Sequence, residues 1–226
     1  MPQGADFKQR SIDMKKHSIL ATTGGVILAM ALIFILTSCG DGAGTHTHTW
    51  NTETGLCSGC SDLYYKIGDT GPGTGKIFFT KAAGFPVTGI GTCHYLEAAP
   101  ADLPGVYVWA MADYHEIIIP GTLTGIGTGK NNTGIIIDEL GNDARAAFAC
   151  DVSTIGDKND WFLPSKDELN ELYENKGIVG LVSALYWSSS QKSGSYYAWC
   201  QYGNSGELNE TCYSNNTNNV RAIRAF

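Results

Sequence analysis

The residues best suited to chemistry in this chain are few and scattered. His46, His48, Cys57 and Cys60 fall in one short stretch, and imidazoles with thiolates form a zinc donor set. A single CxxC without a second spaced pair is a weak zinc signal, and in an exported segment a local disulfide or free thiols is the alternative. Two glycine-rich runs, GPGTGK (Gly71–Lys76) and GIGTGK (Gly125–Lys130), resemble a phosphate-binding loop. That loop needs a further glycine upstream and Ser or Thr after its Gly-Lys, so that backbone N–H groups and a hydroxyl hold phosphate and metal. Thr70 and Ile77 occupy those places in the first run, Thr124 and Asn131 in the second. Both therefore read as turns. His94, His115 and Glu116 are isolated and read as surface or packing residues. A catalytic thiol needs surroundings that lower its pKa, and no cysteine here has them in sequence. No enzyme, cofactor or resident metal is expected.

The elements that would position a site must come from the composition and the patterning. The chain has 226 residues, 43% of them hydrophobic, enough for one globular domain with short extensions. Its 28 glycines argue for turns and loops over a helical bundle. Of 15 basic and 22 acidic residues, four basic and two acidic ones precede Cys39, which leaves 11 basic and 20 acidic residues after it, a charge of −9. A surface of that sign repels a phosphate backbone, so a nucleic-acid partner is not expected.

The basic start has its own logic. Met14-Lys15-Lys16-His17 precedes an unbroken apolar run, Val26 to Leu36, and then Leu36-Thr37-Ser38-Cys39. The run has signal-peptide length and falls short of the roughly 20 residues that span a bilayer. Small residues before a cysteine, directly after such a run, resemble a bacterial lipobox. The resemblance implies acylation of Cys39, cleavage before it and a membrane-anchored lipoprotein, held by several chains on one residue. A transmembrane anchor, with the apolar run stretched back to Ile19, is the alternative. Met14 is then expected to be the initiator, with the residues before it an upstream extension. The expected organisation is an extension and signal peptide over 1–38, a lipid-anchored spacer over 39–63, and a folded domain over 64–226.

Within the domain, Lys76–Thr80, His94–Ala98 and Val106–Ala110 are short β-rich runs between Gly/Pro turns. Asn132–Leu140 and Asp143–Val152 pattern as helices separated at Gly141. Ser165-Lys166-Asp167-Glu168 is a capping box, with Leu169, Leu172 and Tyr173 following as one buried stripe. Gly177 is expected to stop that helix. Tyr186–Ser190 reads as a strand, and Val220–Phe226 (VRAIRAF) as a closing one. Between them lies a run of Asn, Ser, Gly and Tyr that could be a disordered tail. Trp199, the scattered tyrosines and the closing strand argue instead for rigid aromatics on small polar spacers, the composition of a binding surface. Cys200 and Cys212 could bridge two parts of it, though seven cysteines leave connectivity open.

Five segments, IGDTGPGTGKIFF (Ile67–Phe79), HYLEAAPADLP (His94–Pro104), NDWFLPSKDELNELY (Asn159–Tyr173), YWSSS (Tyr186–Ser190) and NNVRAIRAF (Asn218–Phe226), resemble one family in order and spacing. It is the DUF1566 or Lcl C-terminal domain, and more closely the Treponema variable proteins diversified by retroelements. The resemblance covers about residues 64–226 and implies an α+β, C-type lectin-like fold of the formylglycine-generating-enzyme type. Small antiparallel sheets, two main helices and much irregular loop are expected. It further implies that about residues 191–219 form a variable region, altered by copying errors at adenines in AAC-type codons.

Residues within reach of such codons are Ser193, Ser195, Tyr197, Cys200, Tyr202, Ser205, Asn209, Thr211, Cys212 and Ser214, the expected ligand-binding face. Trp187, Trp199, Gln201 and Arg221 are out of reach and are expected to be its scaffold. Glu207 and Glu210 are also out of reach and must be fixed or lie outside the edited set. The implied function is binding of a protein or other ligand on another cell or host surface. A calcium-independent carbohydrate or matrix adhesin without diversification is a second reading. Calcium-type sugar sites use an EPN- or QPD-like tripeptide and a WND, whereas Asn159-Asp160-Trp161 has another order. A formylglycine-generating oxidase is a third reading, and no cysteine pattern here matches its paired-cysteine copper site.

Overall fold

The computed structural model describes residues 49–51, 54–58, 62–114 and 116–226. Cys39, His46, His48, Cys60 and His115 lie outside them, and with them the expected signal peptide, the expected lipidation site and most of the candidate zinc donor set. The described residues form a mixed α and β domain of small antiparallel sheets and few helices. None of its helices is long and apolar enough to cross a membrane.

One sheet is built on β3 (Lys76–Val87) and β4 (Gly91–Ala98), with β10 (Ile223–Ala225) on the far side of β4. The first strand outruns the expected Lys76–Thr80 because two irregularities in its pairing let it bend and continue to Val87. The second three-stranded sheet is β6 (Leu185–Gln191), β7 (Ala198–Tyr202) and β8 (Leu208–Cys212). Of the expected Val106–Ala110 strand only β5 (Tyr107–Val108) forms, paired with β9 (Thr217–Asn218). The closing strand is also shorter than expected. Val220 and Ala222 give their carbonyls to Leu103 and Ala99, outside any ladder.

Helix α1 (Gly129–Leu140) starts three residues before the expected Asn132, and α2 (Arg145–Asp151) follows a tight turn at Gly141–Asp143. The capping box of α3 (Lys166–Glu174) forms as expected: Ser165 N–H donates to Glu168 Oε2 at 2.7 Å, and Glu168 N–H to Ser165 Oγ at 3.3 Å. Gly177 does not stop this helix. Asn175 does so, its Nδ2 donating to the Glu171 and Phe78 carbonyls, and Gly177 lies inside a short α4 (Lys176–Val179).

Two apolar clusters hold the elements together. Trp109, Trp161, Trp187, Ile136 and Cys150 fill the space between α1, α2 and one face of the β6–β8 sheet. Phe78, Leu96, Phe162, Leu172, Tyr186 and Ile223 fill the space between the β3–β4–β10 sheet and α3. The three indole N–H groups donate to the carbonyls of Ser188, Ile155 and Tyr107, so these large side chains bury no unmet donor.

The domain also begins earlier than Tyr64. β1 (Trp50–Asn51) pairs with β2 (Leu56–Cys57) inside the expected spacer. Tyr95 Oη donates to the Gly55 carbonyl at 2.7 Å, and Trp50, Tyr64, Tyr65, Tyr95 and Phe226 form a chain of ring contacts. The aromatic surface offsets the ordering entropy that a Gly/Thr spacer alone could not.

Candidate functional site

Both glycine-rich runs present backbone N–H groups to an anion, but the anion belongs to the protein. Gly73 N–H points to both Glu97 oxygens at 2.9 and 3.0 Å, and Gly75 N–H donates to Glu97 Oε1 at 2.7 Å. Gly127 N–H donates to Glu168 Oε1 at 2.8 Å. Both carboxylates are completely buried. A side chain at Gly75 would meet the Ala98 carbonyl oxygen at 1.8 Å, which is why the turn can press so close to β4. These turns are clasps for buried glutamates and have no room for a phosphate.

The C-terminal segment is built on β6. Ser188, Ser189 and Ser190 are all fully buried, an unusual density of hydroxyls for a core strand. Each has work. Ser188 Oγ donates to the Trp199 carbonyl, Ser189 Oγ accepts from Asn132 Nδ2, and Ser190 Oγ donates to the Leu123 carbonyl while accepting from Lys166 N–H. Gln191 extends this lock: its Nε2 donates to the Ile117 carbonyl at 2.8 Å and its Oε1 accepts from Ile119 N–H at 2.7 Å.

From that rail the chain makes a hairpin over Lys192–Tyr197, closed by Lys192 N–H to the Tyr197 carbonyl at 2.8 Å. A second turn, closed by Tyr202 N–H to the Glu207 carbonyl at 3.0 Å, joins β7 to β8. A disulfide between Cys200 and Cys212 links those two strands. Past β8 the Ser214 carbonyl accepts from the N–H groups of both Trp109 and Ala110. The segment is thus tied at its start, its middle and its end.

The positions of the expected face divide accordingly. Ser193, Tyr202, Ser205 and Thr211 are exposed, and Ser195, Tyr197 and Asn209 are half-buried. Asn209 Oδ1 accepts from both the N–H and the hydroxyl of Thr211 at 2.8 Å, a local brace along β8. Cys200, Cys212 and Ser214 require correction. They are buried beneath the face: Cys200 and Cys212 lie at inward-pointing strand positions joined by the disulfide, and Ser214 lies in the turn after β8, where its carbonyl accepts from the N–H groups of Trp109 and Ala110.

The expected scaffold residues lie under or beside it. Trp187 is fully buried, and Gln201 donates its Nε2 to Asn170 Oδ1 and to the Gly206 carbonyl. Arg221 pairs with Asp102 at 2.7 Å and gives further hydrogen bonds to the Val179 and Gly180 carbonyls. Trp199 is only half-buried, with Lys166 Nζ 5.2 Å from its ring centroid.

The sequence list omits the most conspicuous group of the segment. Tyr196, Tyr197 and Tyr213 gather where the β6–β7 hairpin meets the end of β8, with centroids 4.6 Å apart for the first pair and 4.9 Å, edge to face, for Tyr197 and Tyr213. The hydrogen bond to Tyr197, followed by that neighbour's charge, holds the Tyr213 hydroxyl above the ordinary phenol range. Tyr196 and Tyr213 have the same codon accessibility as Tyr197, so the residue type was the available signal. Their meeting depends on strand register, since Ala198 pairs with Cys212 and thereby brings their neighbours together.

Rigid rings, small hydroxyls and one exposed ion pair, Lys192 to Glu210 at 2.9 Å, make a surface suited to contact more than to bond-breaking. Among the described residues no three His, Cys, Asp or Glu side chains converge as metal ligands. No protein-family model matches this chain, and no curated protein matches it.

Proposed function

We propose that this chain is a surface-displayed lipoprotein that binds other molecules through a diversified C-terminal face on a C-type lectin-like fold, of the Treponema variable protein type. The anchor is acylated Cys39, the membrane is the outer membrane of a bacterium, and the partner is a protein or carbohydrate on another cell or host. One observation carries the reading: the residues within reach of adenine editing include exposed ones, while Trp187, Gln201 and Arg221, out of reach, are buried and bonded; Trp199 is half-buried, and the exposed Glu207 and Glu210 are fixed or lie outside the edited set. Ser193, Tyr202, Ser205 and Thr211 face solvent, whereas Trp187, Gln201 and Arg221 are enclosed. A surface that varies over a base that does not is what diversification requires, since core substitutions cost several kcal/mol and exposed ones roughly 0.5 or less.

The test is sequencing the 3′ end of the gene across many isolates. Changes confined to adenine-derived codons between Gln191 and Asn219, concentrated at the exposed positions and the three tyrosines, are expected. Trp187, Gln201 and Arg221 should stay fixed. A segment that never changes, or that changes equally at synonymous and buried positions, would remove diversification and leave an adhesin of fixed specificity.

A further inference from the structure

Away from the C-terminal face, a cavity of about 290 Å³ lies against α1, lined by Lys130, Asn131, Gly134, Asp138, Asp151 and Trp161 among others. That is near the lower end of the roughly 300–1,000 Å³ typical of small-molecule sites. Its wall is firm. Trp161 and the neighbouring Phe162 are buried, Trp161 Nε1 donates to the Ile155 carbonyl, and Phe162 N–H donates to the Ile223 carbonyl.

Asp138 and Asp151 at its rim are exposed, Lys130 and Asn131 are half-buried, and the Lys130 charge also acts on the Asp160 carboxylate. Among the described residues, the side chains of Lys130, Asn131, Asp138 and Asp151 make no hydrogen bond or ion pair with another residue. Lys130 and Asp138 sit on the same helix about 12 Å apart along its axis, beyond the three- or four-residue spacing at which helix charges pair.

Gly134 supplies a separate observation. Glycine is the poorest helix former after proline, and this one occupies the middle of α1. Packing does not demand it, because a Cβ there would meet nothing within 4 Å. At Gly129, by contrast, a Cβ would lie 2.2 Å from the Glu168 carboxylate. Gly134 lines the cavity one helical turn from both Lys130 and Asp138, and its missing side chain leaves that stretch of the wall open.

We infer that this cavity binds a small zwitterion, a free amino acid or dipeptide, with its carboxylate toward Lys130 and its ammonium toward Asp138 and Asp151. The charge pattern selects against simpler ligands. An inorganic anion would meet two carboxylates, and an inorganic cation would meet the lysine. The half-buried Ile135 in the same lining adds apolar surface for an aliphatic side chain or backbone.

The experiment is calorimetric titration of the purified full chain with the common amino acids and a set of glycyl dipeptides. The same compounds blocked as N-acetyl amides serve as the control. At least one zwitterion should bind saturably and its blocked form should not. Lys130→Gln and Asp151→Asn should each weaken binding at least about tenfold, the loss of one charge-assisted hydrogen bond. Gly134→Leu should abolish it while leaving the melting temperature equal or higher, which separates occlusion from unfolding. The inference is overturned if no zwitterion binds by about 10 mM, a limit already weaker than most specific sites. It is equally overturned if blocked compounds bind as well, or if folded Gly134→Leu binds like the parent.

Discussion

Glu97→Gln is the most informative single change to the scaffold. Glu97 is fully buried and stands directly opposite Arg224 across the β4–β10 ladder. Its carboxylate accepts from Gly73 and Gly75, and from Arg224 Nη1 at 3.1 Å, while Arg224 Nε and Nη2 go to Asp160 at 2.8 and 2.9 Å. Glutamine preserves the shape but removes the charge and turns an amide donor toward other donors. Breaking one partner from a buried ion pair costs about 3–5 kcal/mol. The lower end applies here, because Asp160 still pairs with Arg224. For a domain of this size each kcal/mol moves the melting temperature by about 2–4 °C, so a fall of roughly 6–12 °C is expected. Urea unfolding followed by tryptophan fluorescence, with the disulfide intact, measures it. Lys192→Ala is the contrast, since the Lys192–Glu210 pair is 35% and 50% exposed and such pairs contribute about 1 kcal/mol or less. If Glu97→Gln costs less than about 1 kcal/mol, or no more than Lys192→Ala, the clasp does not organise the turn and the reasoning fails.

Other outcomes follow from the same contacts. Replacing both Cys200 and Cys212 by serine opens a loop with a sequence separation of 12 and should cost about 3 kcal/mol in reversible unfolding, with no loss as the refuting result. Burial pushes the Cys93 thiol up to about 11 and the Cys150 thiol higher still. Both should therefore resist alkylation in the native protein and react only after unfolding, as read by peptide mass mapping. Burial also pushes the Glu168 carboxyl up to about 7, against N–H donation from Ser165 and Gly127. A folded-state pKa above the unfolded one means this contribution to stability is full below about 4.5 and is lost as the pH climbs toward about 7. Asp160 runs the other way. Burial raises its pKa, but the hydrogen bond and charge of Arg224 outweigh that and lower it. Its contribution is present above the unfolded carboxyl value of about 3.9 and is lost in acid below it. Urea midpoints from pH 3 to 8 for the parent, Glu168→Gln and Asp160→Asn separate the two limbs, and a Glu168→Gln profile parallel to the parent between 4.5 and 7 would reject the first.

What could be read from the sequence was what neighbouring residues settle among themselves. The Ser165–Glu168 capping box, the Leu169 and Leu172 stripe and the β-rich runs around Phe78 and Tyr95 are local signals, and each lies in the element expected. Tyr173, expected in the same buried stripe, is only half-buried, its hydroxyl donating to the Ser205 carbonyl. The helix break at Asn175 was misplaced at Gly177, because the deciding hydrogen bond goes to Phe78 in another strand. The β-rich run at Val106–Ala110 shrank for a similar reason: Trp109 and Ala110 spend their N–H groups on Ser214, far along the chain.

The candidate face divides in the same way. Residue type marked tyrosine, serine and asparagine as contact residues, since that preference follows from side-chain chemistry, whereas Trp187 was expected in the scaffold only through the codon argument that the family resemblance implies. Only the tertiary structure decided that Ser214 and the two cysteines face inward, that Tyr196 and Tyr213 join Tyr197, and that both glycine runs close on Glu97 and Glu168. Those outcomes depend on strand register and on contacts across 24 and 41 residues of chain. No local propensity carries such information, because a backbone N–H offers the same bond to a phosphate, a water or a glutamate until the fold brings one of them within reach.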